Sequence, residues 1–215
     1  MRILVHVCCG PCSIVVFQRL IQSGHQICGL FFNPNIQPLS EYMARREAAV
    51  LAAERLSTPL LLADDLSPEE SVPNDPWLCR DPRPSGKNTA FPLPPAADPV
   101  PWIRAVSGRE EERCAFCLGL RLEKCAKLAK KLGYDAYCST LLYSRHQDHE
   151  LIRSLGFEAA ASEKTTFVYE DFRVFWKDGQ RLSREWDLYR QRYCGCIFSE
   201  YERYGRAFAA RRKTA

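Results

Sequence analysis

Seven of the 11 cysteines fall into three compact groups: Cys8-Cys9-Gly10-Pro11-Cys12, Cys114-Ala115-Phe116-Cys117 and Cys194-Gly195-Cys196. Each spacing suits a soft metal. Cys114 and Cys117 stand three apart at a helix start, so both thiols project to one side. The helix dipole there favours thiolate over thiol. Gly10 and Pro11 turn a strand into a helix, and Gly10 leaves room for a bulky ligand near the backbone. Successive side chains on an extended strand face opposite ways, so Cys8 and Cys9 are placed to serve two neighbouring centres. The glycine between Cys194 and Cys196 lets the chain bend until both thiols face one site. A structural zinc takes four ligands, and a four-iron cluster three or four thiolates. Seven grouped thiols exceed either, which points to a second metal, a redox-active pair, or both. All-thiolate ligation selects iron–sulfur or zinc over magnesium and calcium; spacing does not choose between iron and zinc. Cys28, Cys79, Cys125 and Cys138 stand alone, and a lone cysteine packs as a small hydrophobe.

Other polar groups are less specific. His6 precedes Cys8 by two residues on the same strand face, as a metal ligand or as a satisfied core histidine. His146 and His149 lie at i and i+3 beside Asp148 and read as the polar face of one helix. Asp171 is either a carboxylate ligand to an iron or a helix cap. Arg121, Lys124, Lys127, Lys130 and Lys131 share one helix, Arg190 and Arg192 precede the third cysteine group, and further cations run from Arg203 to Lys213. Trp186, Tyr189 and Tyr193 interleave with them. Cations for phosphate and rings for a base suit a single-stranded or flipped nucleotide.

The elements that must position these groups alternate. Ile3–Val7 is a short continuous apolar run, as in a strand buried on both faces. Further strands are expected at 26–32, 59–63, 134–139 and 165–169. Helices are expected at 13–23, 40–56, 114–132, 146–155, 183–190 and 197–212. Residues 114–132 carry the clearest stripe, Leu118, Leu122, Cys125, Ala129 and Leu132, stopped by Gly133. Alternating strands and helices make an α/β protein, a three-layer parallel sheet with helices on both faces. Ligands of such sheets sit at the carboxyl ends of the strands, where Cys8 and Cys9 follow the first strand. Ten of the 14 prolines fall between Pro68 and Pro101. Residues 66–110 therefore read as an insertion or lid within a single domain spanning 1–215, unable to build a packed helix or sheet. Only Trp77 and Trp102 hint that it docks on anything.

Composition bounds the class. At 215 residues with 46 % hydrophobic and 26 % charged residues, the chain can bury a core without disulfides. A net charge of +4 is compatible with nucleic acid without requiring it. No apolar run reaches the ~18 residues that span a bilayer, and polar residues break up the apolar N-terminus too early for a signal peptide. A cytoplasmic, reducing location is expected, where clustered cysteines hold metal or do redox chemistry.

Taken together, the groups resemble the QueH-type epoxyqueuosine reductase family. The matching segments are His6-Val7-Cys8-Cys9-Gly10-Pro11-Cys12-Ser13, Phe31-Phe32-Asn33-Pro34-Asn35-Ile36, Glu41-Tyr42 with Arg45, and Arg113-Cys114-Ala115-Phe116-Cys117 with Arg121-Leu122. They continue through Thr140-Leu141-Leu142-Tyr143-Ser144, Gln147-Asp148, Asp171-Phe172-Arg173 and Tyr189-Arg190-Gln191-Arg192-Tyr193-Cys194-Gly195-Cys196-Ile197-Phe198-Ser199. The resemblance covers about 1–65 and 110–200; Gly10 departs from the alanine usual there, and Ser139 from threonine. It implies a HUP-type, Rossmann-like fold and the reduction of epoxyqueuosine to queuosine at the tRNA wobble base, without cobalamin. A four-iron, four-sulfide cluster, a second mononuclear iron, a tRNA substrate and an unidentified electron donor are implied with it, for a chain expected to act as a monomer. The cluster is expected on Cys9, Cys114, Cys117 and one of Cys194 and Cys196. The second iron then falls to Cys8, Cys12, the remaining cysteine and Asp171. Tyr143, Gln147, Tyr189, Arg190 and Tyr193 are expected to hold the base and its flanks. Two rivals remain. An ATP-using thiolase-like tRNA-modifying enzyme would want a glycine-rich phosphate loop, which one glycine and a proline lacking an amide donor serve poorly. A zinc-stabilised RNA-binding module would need only four of the cysteines.

Overall fold

A computed structural model describes residues 1–63 and 97–212, with side chains up to Gly205. Five strands form one parallel sheet: β1 (Arg2–Val7), β2 (Gln26–Phe31), β3 (Leu60–Leu62), β4 (Ala136–Ser139) and β5 (Thr166–Phe167). Their order is β3-β2-β1-β4-β5. β1 is paired on both edges, Val5 facing Gly29 on one side and Cys138 on the other. Its residues from Ile3 onward are buried, as its unbroken apolar run requires. The chain winds outward from β1 through β2 to β3, then returns to β4 on the opposite edge. The crevice at the carboxyl ends of β1 and β4 is therefore the switch point where such sheets take ligands.

Helices cover both faces. α1 (Gly10–Gln22) packs on α2 (Leu39–Arg55) and α6 (Trp176–Glu185), while α4 (Arg113–Lys131) packs on α5 (His149–Glu163). The stripe expected on α4 is its buried face: Leu118, Leu122, Cys125 and Ala129. One core runs from the strands into both helical layers.

Several boundaries move, each for a local reason. The helix expected at 146–155 starts at His149, because the Asp148 carboxylate accepts the Leu151 amide and caps it. His146 therefore precedes the helix. α6 ends at Glu185 instead of spanning 183–190, since Asp187 turns left-handed at φ 51°. The third cysteine group enters α7 (Ile197–Arg212) directly. The 66–110 expectation lies largely outside the described residues, Trp77 and Cys79 included. Its described end corrects it: Val100–Val106 is a helix, α3, with Trp102 and Val106 buried. Pro99 and Pro101 stand at its start, where proline initiates a helix.

Gly10 also has a different reason from ligand room. A Cβ there would lie 2.2 Å from the Ala48 carbonyl oxygen on α2. Gly10→Ala must therefore push two helices apart, and it is expected to destabilise the fold by about 1–3 kcal/mol, read as a lower denaturation midpoint with unchanged slope.

Candidate metal centre

β1 ends at Val7, and the chain bends at Cys8 before Cys9 caps α1. The strand's alternation ends with it. Instead of facing apart, the Cys8 and Cys9 sulfurs lie 3.8 Å from each other. Cys12, one helical turn on, completes a buried triad whose sulfurs all lie within 4.8 Å. The opposite-facing orientation expected of Cys8 and Cys9 is thus corrected. Thr140, at the carboxyl end of β4, accepts the Cys8 amide at 3.0 Å and donates to its sulfur at 3.3 Å. Hydrogen bonds from Cys12, Cys9 and Thr140 hold the Cys8 thiol well below its usual range. The hydrogen bonds to Cys8 and Cys9 push Cys12 up, and burial does the same to Cys9. A cation bound there would hold the other two as thiolates as well.

Among the described residues only the triad meets single-ion ligand spacing; the other four grouped cysteines, Cys114, Cys117, Cys194 and Cys196, come near enough to feel one another's charge. Cys114 and Cys117 lie on the first turns of α4. Gly195 adopts φ +135°, a conformation closed to side chains, and so turns Cys194 and Cys196 around itself. Cys114 and Cys117 each sense charge on Cys194 and Cys196. Burial pushes Cys117 up to about 12, against the pull of Arg121, and it also raises Cys114. The helix terminus expected to favour thiolate is outweighed by desolvation. Gln147 donates to the Cys194 sulfur at 3.1 Å. The Ser199 amide lies 3.4 Å from the Cys196 sulfur. Arg45 reaches from α2 to the Cys194 and Tyr193 carbonyls at 2.8 and 3.0 Å while its Nε holds Glu41 at 2.7 Å.

A cavity of about 1070 Å³ opens over both groups, with Cys8, Cys12 and Cys194 in its wall. Tyr143, Gln147, Tyr189, Arg190 and Tyr193 all line it. Their hydroxyls are partly committed: Tyr143 donates to the Trp176 carbonyl at 3.1 Å, Tyr193 to that of Gln37 at 2.6 Å, and Tyr189 to Glu41. Trp176, stacked on Tyr143 at 5.1 Å, also faces the cavity, as do His146 and Arg121. Sequence reasoning missed Trp176 as a site residue, because nothing local ties it to the cysteines. Thr140, Glu41 and Arg45 carried a signal only as parts of the quoted segments.

Two candidate ligands, Asp171 and His6, have other partners. Asp171 is not among the cavity's lining residues. It caps the turn Phe172–Phe175, and Arg173 clamps its two oxygens at 2.8 and 2.7 Å. That clamp holds its pKa at about 2. His149 stands 3.6 Å from it. His6 is a satisfied core histidine: Nε2 donates to the Phe32 carbonyl at 3.2 Å, and Nδ1 accepts from Ser139 at 3.0 Å. Burial lowers its pKa to about 4.

Comparison with known proteins converges on one family. The family model described as epoxyqueuosine reductase QueH matches residues 3–74 and 92–202. A protein of that name from Dehalococcoides mccartyi is 27% identical over 205 residues, covering 95% of this chain and 96% of the relative. One from Thermotoga maritima is 31% identical over 208 residues, covering 94% and 91%. Among solved structures, a predicted subunit of a tRNA methyltransferase from Methanocaldococcus jannaschii aligns over 85% of this chain and 76% of its own, at 14% identity and a TM-score of 0.46.

Proposed function

Because the chain belongs to the epoxyqueuosine reductase QueH family, an oxidoreductase family, we propose that it deoxygenates epoxyqueuosine at the wobble position of tRNA. The reaction takes two electrons and two protons, leaves an alkene and releases water. The observation that carries the metal part of this reading is the spacing of the Cys8, Cys9 and Cys12 sulfurs. Metal–sulfur bonds of about 2.3 Å in a tetrahedron set their sulfurs about 3.8 Å apart. That matches the Cys8–Cys9 distance of 3.8 Å, and Cys8 and Cys12 line the cavity. The triad therefore fits one ion; the four-iron cluster is assigned to Cys114, Cys117, Cys194 and Cys196, which influence one another's charge. This division moves Cys9 from the cluster to the single iron. Metal ligation by Asp171 would compete with its clamp by Arg173.

When bound, such centres supply single electrons and a Lewis acid for an epoxide oxygen, with no cobalamin. The chain's own residues do the rest. Arg190 and its neighbours on the rim attract the anticodon-loop phosphates, and the base leaves its stack to enter the cavity. Tyr143 and Trp176 offer it an apolar wall, and Gln147 offers an amide beside Cys194. Among the described residues no helix is long and apolar enough to cross a membrane, in keeping with a tRNA-modifying enzyme that meets its substrate in the cytoplasm.

The test is anaerobic purification followed by iron and sulfide analysis. The protein is then incubated with epoxyqueuosine-containing tRNA and a chemical reductant, and the nucleoside is read by mass spectrometry. Iron, sulfide and a product lighter by one oxygen are expected. A colourless protein holding zinc and no sulfide overturns the reading.

A further inference from the structure

Trp102 is fully buried, and its indole N–H has no hydrogen-bond acceptor among the described residues. It sits on α3, away from the segments that carry the cysteines in sequence, yet it packs against Cys196. Phe116, Leu120 and Phe198 complete its surroundings. Phe116 lies between Cys114 and Cys117, and Leu120 lies one turn beyond Cys117. Phe198 follows Cys196 by two residues and tilts against the indole at 6.2 Å. The ring is thus wedged between the two segments that hold the four-thiol group. Buried tryptophans ordinarily find a partner for this donor, and leaving one unpaired is destabilising. Phenylalanine would fill the same apolar niche without that cost. The acceptor must therefore be something other than the described protein groups.

We infer that the Trp102 Nε1–H donates to an inorganic sulfide of the iron–sulfur centre held by Cys114, Cys117, Cys194 and Cys196. The inference rests on the iron–sulfur reading given above. Hydrogen bonds to cluster sulfurs help set the reduction potential. Such a bond strengthens as negative charge accumulates on the sulfur, so it stabilises the reduced form and raises the potential. Trp102 contributes through the cluster and touches no substrate, which makes it a positioning residue. Gln147 on Cys194 and Ser199 at Cys196 satisfy their sulfurs from the protein side; Trp102 supplies a donor with no protein acceptor to compete for it.

The experiment compares the full chain, purified anaerobically, with Trp102→Phe. Iron and sulfide are counted first, and the cluster is then titrated by spectroelectrochemistry. Equal metal content is expected in both. At a fixed poise the reduced-to-oxidised ratio of the variant should fall about tenfold, a shift of about 59 mV to more negative potential for a one-electron couple. Equal metal with an unchanged potential overturns the inference and leaves the iron–sulfur reading standing. A wild-type protein without iron and sulfide overturns that reading itself. Should Trp102→Phe fail to fold, the wild-type protein decides the matter. Labelled with indole-¹⁵N tryptophan and reduced, it should show by electron–nuclear double resonance one exchangeable proton and one ¹⁵N coupled to the cluster. Absence of both couplings overturns the inference.

Discussion

Replacing Cys12 with alanine is expected to remove one iron per chain, leave the sulfide content unchanged and lower deoxygenation by about 10²–10³-fold or more. The magnitude is that of losing a preorganised stabiliser of developing charge at a reacting oxygen. The specificity of the result follows from the geometry. The three triad sulfurs lie within 4.8 Å of one another, too close to bridge separate corners of a cluster and well spaced for one ion. Cys12 faces the cavity, so its loss strikes the ion at the substrate side. Cys117→Ala should give the opposite pattern, with sulfide and most of the iron lost together. Cys28→Ala and Cys125→Ala serve as controls. Cys125 is fully buried in the core, its thiol 3.6 Å from the Leu4 carbonyl, and both variants should keep full iron. Metal and acid-labile sulfide analysis on the four proteins separates the cases. Equal proportional losses of iron and sulfide in Cys12→Ala would show that the triad belongs to the cluster.

The same residues show where sequence reasoning reaches and where it stops. Ile3–Val7 could be placed at the sheet centre because a strand buried on both faces has no polar alternation to disguise it. The α4 stripe was equally plain, since one helix face repeats at fixed spacing. Membership of the cysteine set was legible for the same reason: adjacency and short spacings survive whatever the fold does. Its partition was not. Cys8 and Cys9 seem opposed only if the strand continues, and hydrogen bonding decides that it stops at Val7. Gly10 looked like space for a ligand, yet the space is taken by Ala48, 38 positions away. Pro99 and Pro101 looked like breakers and instead open α3, which delivers Trp102 to Cys196. In each case the missing information was a contact between residues distant in sequence.

Arg45→Met is expected to cost about 3–5 kcal/mol of stability, the usual penalty for stripping one partner from a buried ion pair. Arg45 and Glu41 are an i,i+4 pair on α2, a spacing that on most helices marks an exposed pair contributing little. Here both side chains are buried, 2% and 8% exposed, at 2.7 Å. Removing the guanidinium leaves the Glu41 carboxylate buried, with Tyr189 as its remaining partner. It also frees the Tyr193 and Cys194 carbonyls, and these fix the chain on either side of the left-handed Gly195 turn. The variant should therefore lose stability and release cluster iron. The two effects can be pulled apart. Glu41→Leu combined with Arg45→Met removes both charges, so most of the lost stability should return, as it does when buried pairs are replaced by apolar residues of similar volume. The carbonyls of Tyr193 and Cys194 remain unheld in the double variant, so its iron should stay labile to a chelator. Denaturant unfolding and chelator-release kinetics on the same three proteins make the distinction. Full recovery of both stability and iron retention in the double variant would reduce Arg45 to a neutraliser of Glu41; recovery of stability alone establishes that Arg45 holds the third cysteine group in place.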